Sequence, residues 1–173
     1  MALSSFKSQS HSLSINMQRW IVWQVLNSQG VSSAVLPMDG FHYYRKELDA
    51  MPNSQEAHAK RGSHWTFNSQ RLLEVIRTIK SVGHGRAPSF DHAHGDPVED
   101  DIIIETSHKV VLVEGNYLLL PETPWNELRD LFDSRWLLLV RVCKRVCKRV
   151  YVYVSVCLRE TLQGNNLTRR CCM

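Results

Sequence analysis

The sequence predicts an α/β fold: a parallel sheet with flanking helices. Two observations carry that expectation. The first is the order of patterns along the chain, which runs helix, strand, helix, strand, helix, strand. The second is a pair of apolar runs that each end in an acid and a glycine. These are Val35-Leu36-Pro37-Met38-Asp39-Gly40-Phe41-His42 and Val110-Val111-Leu112-Val113-Glu114-Gly115-Asn116-Tyr117. Such runs deliver charge to the carboxyl edge of a parallel sheet, where open α/β sheets bind ligands.

Met1 to Ser14 reads as a disordered or targeting lead. The first 38 residues hold no Asp or Glu, a transit-peptide-like composition. Ile15 to Asn27 carries Met17, Trp20, Ile21, Val25 and Leu26 at helical spacing, with Gly30 as the stop. Val31 to Met38 is a strand. Residues 43–67 are polar and irregular. Asn68 caps a helix that runs to about Val82 and buries Leu72, Leu73, Ile76 and Ile79. Gly83 and Gly85 end it.

Residues 86–101 read as a loop dense in His, Asp and Pro. Ile102 to Glu105 is a short strand and Val110 to Val113 a central one. Thr123-Pro124 starts a short helix over Trp125 to Phe132. Trp136 to Val140 is a further buried strand. Beyond it, Arg141 to Val150 repeats with period four and Val150 to Val156 alternates with period two, which suits a helix followed by an edge strand. The organisation expected is therefore a lead over 1–14, an α/β domain over 15–140 and a divergent tail over 141–173.

With 173 residues, 43% of them apolar and 22% charged, the chain has the composition of one globular domain. The net charge of +4 is unevenly placed. Residues 141–173 hold eight basic side chains and one acid, against 13 basic and 16 acidic in the rest. A basic tail suits nucleic acid or an anionic membrane, but no aromatic–basic recognition pattern accompanies it. Neither partner is expected. All five cysteines lie in the same tail without a C-x-x-C spacing. That excludes a disulfide framework and a zinc site by spacing and implies free thiols in a reducing compartment. The compartment expected is the cytoplasm, with a plastid or mitochondrion as the alternative.

Asp39 and Glu114 suit phosphoryl transfer, which needs oxygen ligands for a metal and a carboxylate to take the acceptor's proton. His42 follows closely enough to face the same cleft. In the loop Pro88-Ser89-Phe90-Asp91-His92-Ala93-His94-Gly95-Asp96-Pro97, His92 and His94 suit an acceptor substrate or a metal. Asx turns at Asp91 and Asp96 are the alternative. Lys60-Arg61-Gly62 offers charge to a phosphate or carboxylate, or is simply solvated. Trp65 and Phe67 anchor their loop to the core.

Together these segments resemble the phosphoribulokinase/uridine kinase family of P-loop kinases, on its uridine-kinase-like and pantothenate-kinase-like side. The resemblance rests on Leu36 to His42, on Lys60-Arg61-Gly62 with Trp65-Thr66-Phe67-Asn68, on Pro88 to His92 with Gly95 to Asp100, and on Val113 to Leu120. It implies a P-loop kinase-like fold and ATP-dependent phosphorylation of a small hydroxyl compound with Mg²⁺. By resemblance Asp39 is the general base and, with Glu114, sits at the metal. His42, Arg61, Asp91, His92 and Tyr117 shape the acceptor pocket.

Two family features are missing. No Gly-Lys dipeptide occurs, so the loop G-x-x-x-x-G-K-[ST] that holds nucleotide phosphates is absent from these residues. The Cys-Lys-Arg repeat stands where the arginine-bearing lid is expected. An incomplete or alternatively spliced product, with weak ATP binding, is the expectation. Its partners are a small-molecule substrate and, in an oligomer, a complete homologue.

Overall fold

The computed structural model of the chain describes residues 23–141 and 149–158. The lead expected over 1–14, the part of the expected first helix before residue 23, the repeat over 142–148 and the tail past 158 lie outside these residues.

Residues 23–28 are helical (α1) and lead to strand β1 (Ser33–Pro37). A 3-10 turn over Met38–Phe41 is followed by α2 (Arg45–Asp49), α3 (Ser54–Ala59) and α4 (Ser69–Val82). Next come β2 (Gly85–Asp91), β3 (Asp96–Ile104) and β4 (Val110–Gly115). Helix α5 (Trp125–Leu128), β5 (Ser134–Arg141) and β6 (Arg149–Leu158) follow.

The main sheet has the order β1-β4-β6-β5. Strands β1 and β4 are parallel, in a register that sets Ser33 beside Val110 and Pro37 beside Glu114. All six residues of β4 are buried, as expected of a strand covered on both faces. Strand β6 runs antiparallel to both β4 and β5. It is therefore an interior strand rather than the expected edge. Residues 150–156 carry no charge and alternate Val with Tyr or Ser, a composition suited to a strand with neighbours on both sides.

Helix α4 follows its sequence pattern closely. Leu72, Leu73, Ile76 and Ile79 are buried in the main core with Leu36, Met38 and Val111. The Asn68 side-chain oxygen accepts the Arg71 N–H at 3.0 Å, and Gly83 at φ 86° ends the helix in the left-handed region. Gly30, at φ 75°, ends α1 in the same way. Trp23 donates its indole N–H to the Ser33 carbonyl at 2.8 Å, tying α1 to the start of β1.

Three further expectations are corrected. Residues 43–67 contain α2, α3 and a 3-10 turn rather than irregular chain. Residues 86–101 are not a loop: β2 and β3 pair antiparallel as a separate two-stranded sheet, and Ile102 to Ile104 belong to it. Polar turn-forming residues at 91–96 masked a hairpin with a long ladder. Trp136, expected to begin a buried strand, is 48% exposed. No helix among the described residues is long and apolar enough to cross a membrane.

Candidate functional site

The parallel pairing of β1 and β4 ends with Pro37 beside Glu114. Chain continuing from Pro37 enters the 3-10 turn that carries Asp39. Both acids thus emerge at one edge of the sheet, Asp39 exposed and Glu114 buried. The glycine after each acid has a steric reason. A Cβ at Gly40 would lie 1.9 Å from the Pro88 carbonyl oxygen, and one at Gly115 would lie 2.5 Å from the Met38 Cβ. Gly115 lets the Asp39 turn settle on β4, and Gly40 lets the β2 backbone settle on that turn.

His42 closes the turn. Its backbone N–H donates to the Asp39 carbonyl at 3.2 Å, and its ring Nδ1 lies 2.8 Å from the same oxygen. A carbonyl only accepts, so Nδ1 carries the hydrogen and the neutral ring keeps Nε2 as an acceptor. The ring packs against Phe67 at 3.9 Å and Phe90 at 4.7 Å, centroid to centroid. That burial lowers the His42 pKa below its ordinary 6.5, against the opposing pull of the Asp39 carbonyl and carboxylate. Neutral His42 beside an exposed carboxylate can accept a hydrogen bond from a hydroxyl compound.

The hairpin brings Phe90 and His92 to this place, their rings 5.1 Å apart and edge-on. His92 is exposed. Asp91 is engaged within the hairpin turn: it accepts the Ala93 N–H at 2.7 Å and the His94 N–H at 3.3 Å, and pairs with the His94 ring. Those bonds hold the Asp91 carboxyl below the usual carboxylate range, the His94 ring contributing most. The geometry is the Asx turn that was the alternative to substrate contact.

Arg61 is also engaged internally. Its guanidinium donates to the Gly95 carbonyl, to the Tyr43 carbonyl at 2.8 Å and to the Asp96 carboxylate at 3.0 Å. It lies over the Phe90 ring at 5.7 Å. Its Nε is buried without a hydrogen-bond partner. Tyr117 donates its hydroxyl to the Gly62 carbonyl at 2.8 Å and packs its ring 5.7 Å from Phe67.

Among the described residues no group of three or more His, Cys, Asp or Glu could hold a metal. Mg²⁺ takes as few as one or two protein carboxylates, with water and phosphate oxygens filling its shell, and Asp39 and Glu114 are two carboxylates at this edge. The imidazole pair His92 and His94 does not form a third ligand set.

Sequence reasoning missed the residues that hold the hairpin. The Glu99 carboxylate accepts from the Tyr44 hydroxyl and from both terminal nitrogens of Arg71, one at 2.8 Å. The Arg45 backbone N–H donates to Asp96 at 2.9 Å. A Cβ at Gly95 would meet the Arg45 guanidinium at 2.4 Å. The visible signal was Pro88, which interrupts a ladder by lacking an N–H.

No family model matches the chain. It is 45% identical over 103 residues to a Schizosaccharomyces pombe protein named "Putative uridine kinase", covering 58% of this chain and 44% of the relative. It is 39% identical over 104 residues to the "ATP-dependent kinase-like protein notR'" of Aspergillus versicolor, covering 57% and 60%. Among solved structures it superposes on YFH7 of Saccharomyces cerevisiae, "a putative P-loop containing kinase with a circular permutation", with a TM-score of 0.54 and 28% identity. That match covers 59% of this chain and 38% of the other. A "putative fructose transport system kinase" from Silicibacter gives a TM-score of 0.56 and 26% identity over 61% of this chain and 50% of that one. The chain spans about half the length of the curated relatives it matches, between 35% and 60% for the first three. It is a kinase-like α/β chain, related in sequence and fold to the uridine-kinase-like P-loop kinases.

Proposed function

We propose that this chain carries the acceptor-binding part of a small-molecule kinase, one that phosphorylates the hydroxyl of a nucleoside, pantothenate or sugar-like compound at the expense of ATP. The observation that carries the reading is the pairing of Pro37 with Glu114, which sets Asp39 and Glu114 at one sheet edge. The His42 ring, bonded to the Asp39 carbonyl, packs on Phe67 and Phe90 at the Asp39 side of that edge.

In this reading the acceptor lies against Phe90 and His42, with its hydroxyl on Asp39. Asp39 accepts the hydroxyl proton as the oxygen attacks the γ-phosphorus, and ADP leaves. His42 Nε2 accepts a second hydrogen bond and orients the acceptor. Glu114 and Asp39 would hold Mg²⁺, whose chemistry when bound is to neutralise phosphate charge. Phosphoryl transfer needs little more from the protein than positioning and charge stabilisation.

No phosphate loop lies within these 173 residues. On their own they are expected to bind Mg-ATP weakly and turn it over slowly. That same observation favours a second reading, a non-catalytic protein that keeps the acceptor pocket and pairs with a complete homologue.

Calorimetry with Mg-ATP, and separately with uridine, pantothenate and gluconate, tests both, alongside phosphoryl transfer from labelled ATP. Any transfer should fall by roughly 10²-fold or more in Asp39→Asn, the usual loss of a general base. Acceptor binding without transfer selects the second reading. Binding of none of the acceptors sinks both.

A further inference from the structure

The β2–β3 hairpin reaches the site through Phe90 and His92, yet it lies outside the main sheet. A two-stranded ribbon is marginal by itself, so something else must fix its position. Its ladder is interrupted in the middle. Pro88 has no N–H to give, and the register passes from Ala87 beside Ile102 to Ser89 beside Val98. Glu99, Asp100 and Asp101 therefore stand opposite Pro88 alone, and Asp100 takes a positive φ of 56° within this bulge. A bulge re-aims the side chains it carries.

Here Glu99 meets Tyr44 and Arg71. Both terminal nitrogens of Arg71 grip the carboxylate, the fork-to-fork arrangement that combines strength with direction. Neither partner belongs to the hairpin. Arg71 is in the first turn of α4, and Tyr44 immediately precedes α2. The α4 segment is joined to the turn carrying Asp39, the Asn68 N–H donating to the Phe41 carbonyl at 2.7 Å, and the Tyr44 segment to the chain before α4, the Tyr43 N–H donating to the Thr66 carbonyl at 3.1 Å.

We propose that Glu99 is a positioning residue, whose grip on Tyr44 and Arg71 fixes the hairpin so that Phe90 and His92 form one wall of the acceptor site. The clamp stands on geometry; that the wall faces an acceptor rests on the function proposed above. Glu99 contacts no reacting group.

Amide hydrogen exchange over residues 89–98, without ligand, reads the clamp directly. Glu99→Gln and Arg71→Gln should each speed exchange there by about tenfold or more, and the double variant should add little, since both remove one interaction. Exchange in β4 should not change. Arg77→Gln breaks the exposed 2.9 Å pair with Glu127 and serves as the control that leaves the hairpin alone. Unchanged hairpin exchange in Glu99→Gln, or fully additive effects in the double variant, overturns the clamp. If Glu99→Gln does not fold, Tyr44→Phe removes one of the same bonds and is read the same way.

Uridine titrated into wild type and Glu99→Gln tests the wall. About tenfold weaker binding in the variant is expected. Equal affinity with a loosened hairpin overturns the wall role, as does a wild type that binds no uridine, pantothenate or gluconate. In that last case the exchange data still decide the clamp, so the two failures are told apart.

Discussion

The backbone carbonyl of Pro88 occupies the space that a side chain at Gly40 would need, 1.9 Å from where its Cβ would be. The hairpin and the Asp39 turn therefore touch backbone to backbone. Gly40→Ala should destabilise by about 1–3 kcal/mol, because the obstacle is main chain and cannot rotate aside. Urea denaturation checks this. A midpoint within error of wild type would mean the two segments can part without cost.

Asn68→Ala removes the oxygen that accepts the Arg71 N–H. A loss of about 1 kcal/mol is expected for such a cap. Leu72→Ala, at a position with no exposure, should cost about 2–5 kcal/mol through the cavity it leaves. The ratio of the two in thermal or urea unfolding checks whether α4 draws its stability chiefly from packing.

Arg61→Lys keeps the charge and loses the planar fork that reaches Gly95, Tyr43 and Asp96 together. With ligand absent, stability should fall by about 1–3 kcal/mol, the range for hydrogen bonds to charged groups. A variant as stable as wild type would mean that Arg61 does not anchor the hairpin tip.

By NMR the two histidines should show pKa values displaced in opposite directions, His42 down and His94 up. Burial holds His42 below 6.5, while the Asp91 carboxylate raises His94 above 6.5. His42 binds its proton more readily when unfolded, so its contribution to stability is lost as pH falls below 6.5 toward its folded value. His94 acts the other way: its contribution is present below 6.5 and is lost as pH rises through its raised folded value. Two rings titrating together at 6.5 would contradict both placements.

The parts legible from sequence are those that local pattern determines. Asn68, Gly83 and the face of Leu72, Leu73, Ile76 and Ile79 are fixed by capping chemistry and helical period, and the structure has all of them. The two acid–glycine strand ends were legible for the same reason. The hairpin was not. Its turn residues dominate the composition of 86–101, while its ladder depends on partners up to 19 residues apart, Gly85 with Ile104. Arg61 looks like a ligand contact in sequence because it carries charge in a polar segment, and Asp91 does so by the family resemblance. Their partners, Gly95, Asp96 and His94, are brought in by the hairpin turn and by a separate loop. The role of Glu99 needed the Pro88 bulge, which no period announces.

The insertion of β6 between β4 and β5 has a bearing on biosynthesis. β5 pairs with β6 and β4 does not touch it in the sheet. As the chain emerges from the ribosome, β5 has nothing to zip onto until residues 149–158 have been made. Until then the far edge of β4 lies bare, a template for other nascent chains. Assembly of this half must wait for residues 149–158, whereas β1 and β4 can join beforehand.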